Sequence, residues 1–437
     1  MLATARPPIL TVVQQHQEEA ACLRSTREHL VRAPHVRLHQ LRRLDDRIAA
    51  HLDGLAVAGE FGTRLCTAAL ESPGIGEVFA ATVRAIEDRN AASLARLLGL
   101  AEAESEAGLG AGLGPDRGLL SAFGWVSAAS LRGISKELLG SRSAFQRRVG
   151  LAACGMHQVD AGPALDAAVR DADAGLRLRA LRVAGELGRL DLLPACVQAV
   201  SDASADDGPC GAPFRFDAAR SALLLGDRDT SVACLRTLAE SPGPRRLDAV
   251  RWLLTTLASR EARVVLKQLA EDPGNLRLLI AGVGAAGDVH YLPWLIQQMA
   301  DLKLARLAGE SFSTITGVDL AALDLELKPP EGLETGPNDD PADNDVAMDE
   351  DESLPWPDPA KLTAWWKAKA SSFTPGTRFF MGQPTTESHC QGILATGFQR
   401  QRIAAAVHLR LLQPGRPLFN TAAPAWRQQR LLANAGG

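Results

Sequence analysis

Histidine spacing near the N-terminus is the first pattern in this chain that could support metal chemistry. His35 and His39 lie four residues apart, so on a helix both imidazoles would point the same way, as zinc ligands do. Pro34 places the pair at a helix start, and no glutamate follows the first histidine as it does in zinc proteases. We therefore expect cap and surface histidines, and the sequence predicts no metal and no cofactor.

Three aspartates in the following segment, Asp45, Asp46 and Asp53, supply carboxylates that could do acid–base chemistry. Such catalysis requires a cleft in which the pKa values of the carboxyl groups are driven apart. The nearby arginines favour a simpler role as exposed helix acids in ion pairs, formed with Arg42, Arg43 and Arg47. The chain contains no Gly-x-Ser-x-Gly elbow. We predict no catalytic residue.

Helical periodicity positions these side chains. Residues 38–55 repeat leucine or isoleucine every three or four positions, which places the apolar residues on one helix face and Asp45 and Asp46 on the wet face. Gly54 and Gly59 are expected to end this helix. Residues 9–30 and 77–88 are two further predicted helices of an N-terminal helical module, residues 1–102.

A degenerate repeat of about thirty residues occupies the middle of the chain. Predicted helix ends recur at spacings of 33, 38, 33, 28 and 30 residues, at Gly155, Gly188, Gly226, Ser259, Gly287 and Gly317. Such a period, filled with paired apolar helices, is typical of an α-solenoid. We predict an all-α protein in which residues 119–328 form stacked antiparallel helix pairs.

The helix pairs are clearest at 229–240 with 245–258, 260–271 with 275–286, and 288–300 with 302–316. Their first helices align from a terminal acid, which makes two sets of apolar residues equivalent and predicts that both sets face the interior. These sets are Leu235, Leu266 and Ile296, and Leu238, Leu269 and Met299. Residues 203–213 are an insertion within one repeat.

Charge is divided sharply along the chain despite a net charge of only −4. Residues 329–359 hold eleven acidic and no basic residues, and residues 361–437 hold ten basic residues against the single acid Glu387. We expect 103–118 to be a flexible linker, 329–359 an acidic disordered linker and 360–437 a basic helical segment, with Trp365-Trp366 in 359–369 and a last amphipathic helix at 399–412. Alternatively, the acidic linker folds back over the basic tail as an electrostatic cover.

Seven cysteines are scattered without a CxxC pair, which favours a reducing compartment over a disulfide framework. The N-terminus lacks a signal-like apolar stretch, and no run of eighteen apolar residues occurs. We expect a cytoplasmic protein that does not span a membrane.

The repeats resemble HEAT repeats, in which a second helix opens with a basic residue near an acid and closes on Leu-Gly. Asp173 precedes Leu-Arg-Leu-Arg and Leu187-Gly188, and Arg245-Arg246 with Asp248 is a second example. Further motifs along nearly the whole chain resemble a family of uncharacterised proteobacterial HEAT-like proteins, some encoded beside type VI secretion clusters. They are QHQEEAACL (15–23), LDDRIAAHLDGLAVAGE (44–60), PGIGEVFAA (73–81), AFGWV (122–126), FTPGTRFFMGQPTT (373–386) and GFQRQRIAAAVHLRLLQPGRPLF (397–419). The resemblance implies a secretion link but brings no activity with it.

These patterns favour a non-enzymatic scaffold whose concave face, lined mainly by second helices, binds one protein partner. Adaptor, chaperone and immunity roles all fit. The expected contacts are residue types common at interface hot spots: Arg245, Arg246, Arg251, Trp252, Arg277, Trp365 and Trp366.

Two alternatives remain open. HEAT-like repeats also occur in some bilin lyases, and an enzyme of that kind would need a pocket with Cys196, Cys210 or Cys234, or with paired carboxylates. A nucleic-acid binder would use the arginines and aromatic residues of the C-terminal segment, including Phe379, Phe380 and Trp426. The pI near 6.2 opposes phosphate binding.

Overall fold

The computed structural model describes residues 8–106, 114–202, 211–333, 336 and 348–435, and these are predominantly helical. The first eleven helices are α1 Leu10–Leu30, α2 Leu38–Val57, α3 Glu60–Ala68, α4 Ile75–Glu87, α5 Ala91–Glu106, α6 Pro115–Trp125, α7 Ile134–Leu139, α8 Ala144–Met156, α9 Pro163–Ala168, α10 Ala174–Leu187 and α11 Leu193–Asp202. The later helices are α12 Gly211–Leu224, α13 Thr230–Glu240, α14 Arg246–Thr256, α15 Ser259–Leu269, α16 Leu276–Ala286, α17 Leu292–Gln298, α18 Ala305–Thr316, α19 Pro359–Lys369, α20 Glu387–Thr396, α21 Gln399–Leu412 and α22 Ala425–Ala435. The helical character predicted from the sequence is confirmed.

Within the described ranges, four two-residue strands form two antiparallel pairs. Strand β1 (Glu326–Leu327) pairs with β2 (Trp356–Pro357), and β3 (Phe379–Phe380) pairs with β4 (Gln383–Pro384).

The chain forms two compact units. Unit 1 comprises residues 1–198 and 414–437, and unit 2 comprises residues 199–413. Unit 1 is therefore discontinuous in sequence, and its boundary with unit 2 lies inside the segment 119–328 predicted as one repeat array.

Helix α4 lies in the core of unit 1, where it packs against α1 and α6. Its side chains Val78, Phe79 and Ile86 have no exposed surface. Gly76 permits the close approach of α1, because a Cβ at this position would lie 2.6 Å from the Cα of Ala21. The predicted helices 9–30, 38–55 and 77–88 correspond to α1, α2 and α4.

Helix α2 corrects two expectations. It continues through Gly54 to Val57, and Gly54 instead gives room to the ring of His16. Asp45 does not lie on the wet face: it is fully buried in an ion pair with Arg27, whose Nε is 2.6 Å from Asp45 Oδ1. Asp45 lies four residues after Leu41, so both residues are on the buried face of α2. The charged residues next to Asp45 in the sequence suggested an exposed position instead.

Asp45 also fixes the C-terminal helix of unit 1. Its Oδ2 accepts a hydrogen bond from the backbone N–H of Ala425, the first residue of α22, at 2.7 Å. Arg27 donates to the carbonyls of Ala422 and Ala423, both at 3.0 Å. Buried charges require such complete pairing. No local pattern in the sequence indicates that α22 packs against α2.

Successive helices pack against one another through unit 2. Helix α13 packs between α12 and α14, α14 against α16, and α16 against α15 and α18. The two predicted sets of equivalent first-helix residues are buried, which confirms their inward orientation: Leu235, Leu266, Ile296, Leu238, Leu269 and Met299. The predicted helix at 399–412 is also confirmed.

Most of the predicted small-residue stops do lie beyond helix ends. Gly188, Gly287 and Gly317 adopt left-handed conformations after α10, α16 and α18. Two of the predicted stops are wrong. Gly155 lies inside α8, which is followed by a left-handed Gln158, and Ser259 opens α15 rather than ending α14.

Extended segments close the ends of these helices. In unit 2, the N–H of Phe379 donates to the carbonyl of Gly287 at 2.8 Å, and that of Met381 donates to Thr314 at 2.7 Å. In unit 1, the N–H of Leu418 donates to Glu186 at 2.7 Å. These bonds satisfy carbonyl groups that a helix C-terminus leaves unpaired.

The structure describes only part of the predicted linker 103–118 and of the predicted insertion 203–213. Helix α5 extends to Glu106 and α6 begins at Pro115, so both ends of 103–118 are helical, while 107–113 lie outside the described residues. The insertion 203–213 likewise falls mainly outside them, with Gly211 already in α12.

Candidate functional site

Arginine recurs at one position of the second helices. Four arginines lie eleven residues before a residue with left-handed backbone (Gln158, Gly188, Gly226 or Gly317), and a fifth lies ten residues before Gly287. They are Arg147, Arg177, Arg215, Arg306 and Arg277. These arginines lie in the first turns of α8, α10, α12, α18 and α16. Their spacing from the left-handed residues places these arginines at nearly equivalent positions of the five helices.

The arginines hold inter-helix turns. In unit 1, Arg147 Nη2 lies 3.1 Å from Asp171 Oδ2, and Arg177 Nη1 donates to the carbonyl of Asp171 at 2.9 Å. In unit 2, Arg277 Nη1 donates to the carbonyl of Lys303 at 2.8 Å. In each unit an arginine of one second helix therefore contacts the turn before the next second helix.

Two of these arginines also bind an acidic segment of the same unit. Arg277 makes a bidentate pair with Asp351, at 2.9 and 3.0 Å, and a further contact with Glu350 at 3.2 Å. Arg306 donates to the carbonyl of Asp351 at 3.1 Å and pairs with Asp349 at 2.8 Å. The hydrogen bond to Asp351 raises the pKa of the Arg277 guanidinium.

This contact involves only the C-terminal part of the predicted acidic linker 329–359. Asp351 is 6% exposed, and the Arg306 guanidinium lies 4.7 Å from the centre of the Trp356 ring. Residues 334–335 and 337–347 lie outside the described residues, whereas Asp349, Glu350 and Asp351 contact arginines of α16 and α18.

The predicted contact residues of α14 are only partly available. Arg245 pairs with Asp248 at 3.0 Å, and its guanidinium lies 5.2 Å from the Phe216 ring centre. Arg246 donates through Nε to the carbonyl of Ala239 at 2.9 Å. Both side chains therefore stabilise the helix pair itself.

Arg251 and Trp252 form the accessible part of the same helix. Trp252 is half-buried, and the guanidinium of Arg220 on α12 lies 5.4 Å from its ring centre. Arg251 is exposed, and its side chain makes no hydrogen bond or ion pair within the described part of the chain. Arg245 and Trp252 are seven residues apart, so they lie on one face of the α14 region.

Trp365 and Trp366 contribute to packing in unit 2. The Trp365 ring is edge-on to Phe312 at 5.7 Å, and the Trp366 ring lies 5.5 Å from Phe373. Both tryptophans are half-buried. We therefore assign them mainly to the internal aromatic cluster, with limited area left for a partner.

The basic C-terminal segment uses several of its arginines internally. Arg378 donates to the carbonyl of Leu254 at 2.8 Å, and Arg402 donates to that of Leu394 at 2.7 Å. Burial lowers the pKa of each guanidinium to about 10. Arg400 makes a two-pronged pair with Glu310 at 2.9 and 3.0 Å. Much of the positive charge that could have contacted phosphates therefore stabilises unit 2.

The described histidines and cysteines do not form the arrangements considered from the sequence. His35 lies in a turn before α2 and His39 inside the helix, so they do not share a helical face. No group of three or more potential metal-binding side chains occurs in the described ranges. Burial raises the pKa of the thiols of Cys196, to about 12, and Cys234, which disfavours the nucleophilic thiolate. Cys210 lies outside the described residues.

Unit 1 contains a pocket of about 460 Å³ that was not predicted. It is bounded by the second half of α2, the end of α4, the turn after α6, the end of α8 and the α22 region. Its apolar walls include Trp125, Met156 and Trp426, and the two tryptophan rings meet edge-on at 4.8 Å. Pockets of this size with a few convergent polar groups are typical ligand sites.

Charged groups line this pocket in two pairs. Asp53 and Glu87 belong to α2 and α4, and Arg427 and Arg430 belong to α22. Burial, with a contribution from Asp53, raises the pKa of Glu87 against the opposing effect of Arg84. Burial, with contributions from Arg430 and Arg27, lowers the pKa of Arg427 to about 10.

His157 adds a neutral polar group to the pocket. Its Nε2 lies 2.8 Å from the carbonyl of Phe123, to which it donates. Burial, reinforced by Arg427, lowers its pKa. Sequence analysis singled out Asp53 and Trp426 but had no local signal that would bring them together, because α2 and α22 are separated by more than 350 residues.

Two further findings concern the whole set of described helices and the similarity of the chain to known proteins. In the described helices, no segment is both long and apolar enough to span a bilayer. Comparison of the chain with family models, curated proteins and solved structures gave no match. The function is therefore argued from geometry and chemistry.

Proposed function

We propose that the chain is a non-enzymatic, HEAT-like α-solenoid scaffold that binds an acidic segment of a protein partner on its second helices. The observation that carries this proposal is the contact of Arg277 and Arg306 with residues 349–351. It is an example, within this molecule, of an acidic stretch of chain held by the arginines of successive second helices. Bidentate arginine–carboxylate pairs give such a contact both strength and geometric specificity.

The repeat geometry supports the scaffold. Arginines recur at nearly constant distance from left-handed helix ends, and α14, α16 and α18 pack in succession. Equivalent residues on successive helices provide the regular surface with which solenoid proteins bind extended partners.

The partner surface is centred on Arg251 and Trp252 of α14. Arg251 supplies an exposed charge, and Trp252 supplies aromatic area already stacked with Arg220. Tryptophan and arginine commonly dominate the energy of protein interfaces. Because the sequence motifs resemble those of proteins partly encoded beside type VI secretion clusters, a type VI secretion component or cargo in the cytoplasm is the first partner class to test, in an adaptor, chaperone or immunity role.

Affinity capture from the native cell lysate, followed by reconstitution with the purified partner, tests the proposal. The full-length chain should retain one stoichiometric protein whose affinity falls as salt rises, because part of the contact is ionic. Arg251→Glu and Trp252→Ala should each weaken the reconstituted complex at least tenfold, or about 1.4 kcal/mol. Neutralising the acidic segment of the partner should have a similar effect.

Arg260→Glu provides the matched control, because Arg260 is an exposed arginine on the first helix α15. It should leave the affinity unchanged. Equal losses in Arg251→Glu and Arg260→Glu would indicate a general charge effect and contradict the assigned surface. The absence of any partner that binds in purified form would contradict the scaffold function itself.

A further inference from the structure

The pocket of unit 1 is built from rigidly held parts. Arg427 donates to the carbonyls of Gly124 and Val126, both at 3.0 Å, which connects α22 to the turn after α6. The side chain of Gln158 donates to the carbonyl of Leu418 at 3.1 Å on another border of the pocket. The space is therefore preformed, which reduces the entropic cost of binding a ligand.

Two opposite charges in the pocket have no partner within the described residues. Glu87 is already paired with Arg84 at 3.1 Å, and the terminal nitrogens of Arg427 bond the two carbonyls just described. In contrast, the side chains of Asp53 and Arg430 make no hydrogen bond or ion pair with any described residue. Asp53 lies beside Glu87 and Arg430 beside Arg427, so each would gain from an opposite charge on a ligand.

The separation of these charges limits the length of the ligand. Asp45 contacts the N–H of Ala425 and Arg42 contacts Gln429, so α22 runs antiparallel to α2. Asp53 lies eight residues after Asp45 on α2, and Arg430 lies five residues after Ala425 on α22. Because the two helices are antiparallel, these two residues extend in opposite directions from the Asp45–Ala425 contact. At 1.5 Å per residue, their Cα atoms are about 20 Å apart along the helix axes.

The long Arg430 side chain spans part of this distance but not all of it. The remaining gap exceeds the separation of the two charges within one free amino acid. It suits a chain of two to four residues, which extends by roughly 3.3–3.6 Å per residue. Between the charged ends, Trp125, Met156 and Trp426 offer apolar surface for side chains.

We propose that this pocket binds a short zwitterionic peptide of two to four residues with apolar side chains. Its free ammonium group contacts Asp53 and Glu87, and its terminal carboxylate contacts Arg430 and Arg427. The apolar side chains lie against the two tryptophans and Met156. This site lies within unit 1 and is independent of the partner surface on α14.

Calorimetric titration of the full chain with the tripeptide Leu-Ala-Phe tests the site. We expect saturable binding accompanied by a change in tryptophan fluorescence, since Trp125 and Trp426 line the pocket. N-acetylation and C-amidation of the peptide should each weaken binding about tenfold or more, because each removes one charged contact. Gly-Gly-Gly, which lacks apolar side chains, should bind much more weakly.

The variants Asp53→Asn and Arg430→Gln test which pocket residue contacts the ammonium end of the peptide and which contacts the carboxylate end. Asp53→Asn should weaken the free peptide about tenfold but have little further effect on the acetylated one, and Arg430→Gln should show the same relation to the amidated peptide. Glu60→Gln and Arg43→Gln, at exposed positions outside the pocket, should leave affinity unchanged. All four positions are exposed, and thermal melts would verify that the variants remain folded.

Three results would overturn the inference. The first is no binding of the tripeptide at millimolar concentration. The second is equal affinity for free and blocked peptides, which would show that the charged ends are not recognised. The third is unchanged affinity in both Asp53→Asn and Arg430→Gln. Each result would leave the partner-binding proposal for α14 intact, because that proposal is tested with different variants.

Discussion

At the scale of single residues, Asp45 is a buried charge in unit 1 that depends on its hydrogen-bond partners. Its carboxylate is fully buried and accepts from Arg27 and from the N–H of Ala425. A buried ion pair is not by itself strongly stabilising, but removal of one partner leaves the other charge without compensation. The importance of Asp45 therefore lies in what its loss would leave behind.

We predict that Asp45→Asn lowers the free energy of unfolding by about 3–5 kcal/mol. The amide cannot neutralise the buried Arg27 guanidinium, although it has nearly the same shape. Chemical denaturation of the variant would measure the loss. Asp46→Asn is the neighbouring control, because Asp46 makes an exposed pair with Arg42 and should change stability by less than about 0.5 kcal/mol. Similar losses in the two variants would contradict the assigned role.

His408 makes the stability of unit 2 depend on pH. Burial, reinforced by Arg378 and His389, lowers its pKa from 6.5 to about 3. The ring lies 4.7 Å from Phe380. In the unfolded chain the imidazole gains a proton as pH falls below about 6.5, whereas in the folded chain it stays neutral until about pH 3. Its contribution to stability is therefore fully present above pH 6.5 and is lost on acidification.

His408→Phe should remove this part of the pH dependence. Between pH 6.5 and 4.5 the wild-type chain should lose up to about 1.4 kcal/mol per pH unit more than the variant. Denaturant midpoints across this range would measure the difference. His35→Phe changes an exposed histidine and should follow the wild-type curve. Parallel curves for wild type and His408→Phe would show that His408 titrates normally in the folded chain.

At the scale of secondary-structure elements, the glycines after second helices have two functions. Gly287 adopts φ of +67°, which allows α16 to end, and it contacts the carbonyl of Phe379 in the crossing 378–382 segment. A methyl group would strain the backbone and displace this segment.

Gly287→Ala should therefore lower stability by about 1–3 kcal/mol. Hydrogen exchange should also become faster at the amide of Phe379, which loses its bond to the Gly287 carbonyl. Gly243→Ala is a suitable comparison, since a Cβ there would meet nothing within 4 Å and its φ is ordinary. Unchanged protection of the Phe379 amide in Gly287→Ala would contradict the proposal that Gly287 allows residues 378–382 to pack against the end of α16.

Helices were predictable because apolar spacing is a local property. The helix at 399–412, and the burial of Leu235, Leu266 and Ile296, followed from that spacing. The packing of α22 against α2 did not, because nothing local specifies contacts between such distant segments. The contact of Asp351 with Arg277 was not predictable for the same reason. The sequence of an acidic segment does not distinguish a solvated segment from one that is paired with distant arginines.

At the scale of the whole molecule, unit 1 depends on residues at both ends of the chain. We predict that a chain ending at residue 413 has a destabilised unit 1 although residues 1–198 are intact. Arg27 would lose two carbonyl partners and Asp45 the N–H of Ala425. Hydrogen exchange should show faster exchange in α1 and α2, while the α13–α16 helices of unit 2 stay protected.

A peptide of residues 414–437 added to the shortened chain provides the complementary experiment. It should restore protection in α1 and α2, because it returns Trp426 to Trp125 and the backbone groups to Arg27 and Asp45. Full protection of these helices without the peptide would mean that unit 1 does not need the segment.

The discontinuity of unit 1 also sets an order of events on the ribosome. Residues 199–413 must be synthesised before α22 can reach α2, which takes roughly 10–40 s at ~5–20 residues per second. During that time the nascent N-terminal part presents Trp125 and the Arg27–Asp45 pair without the segment that later covers them. Chaperones would therefore meet an N-terminal part that is already translated but not yet complete, and only completion of synthesis through α22 would end that exposure.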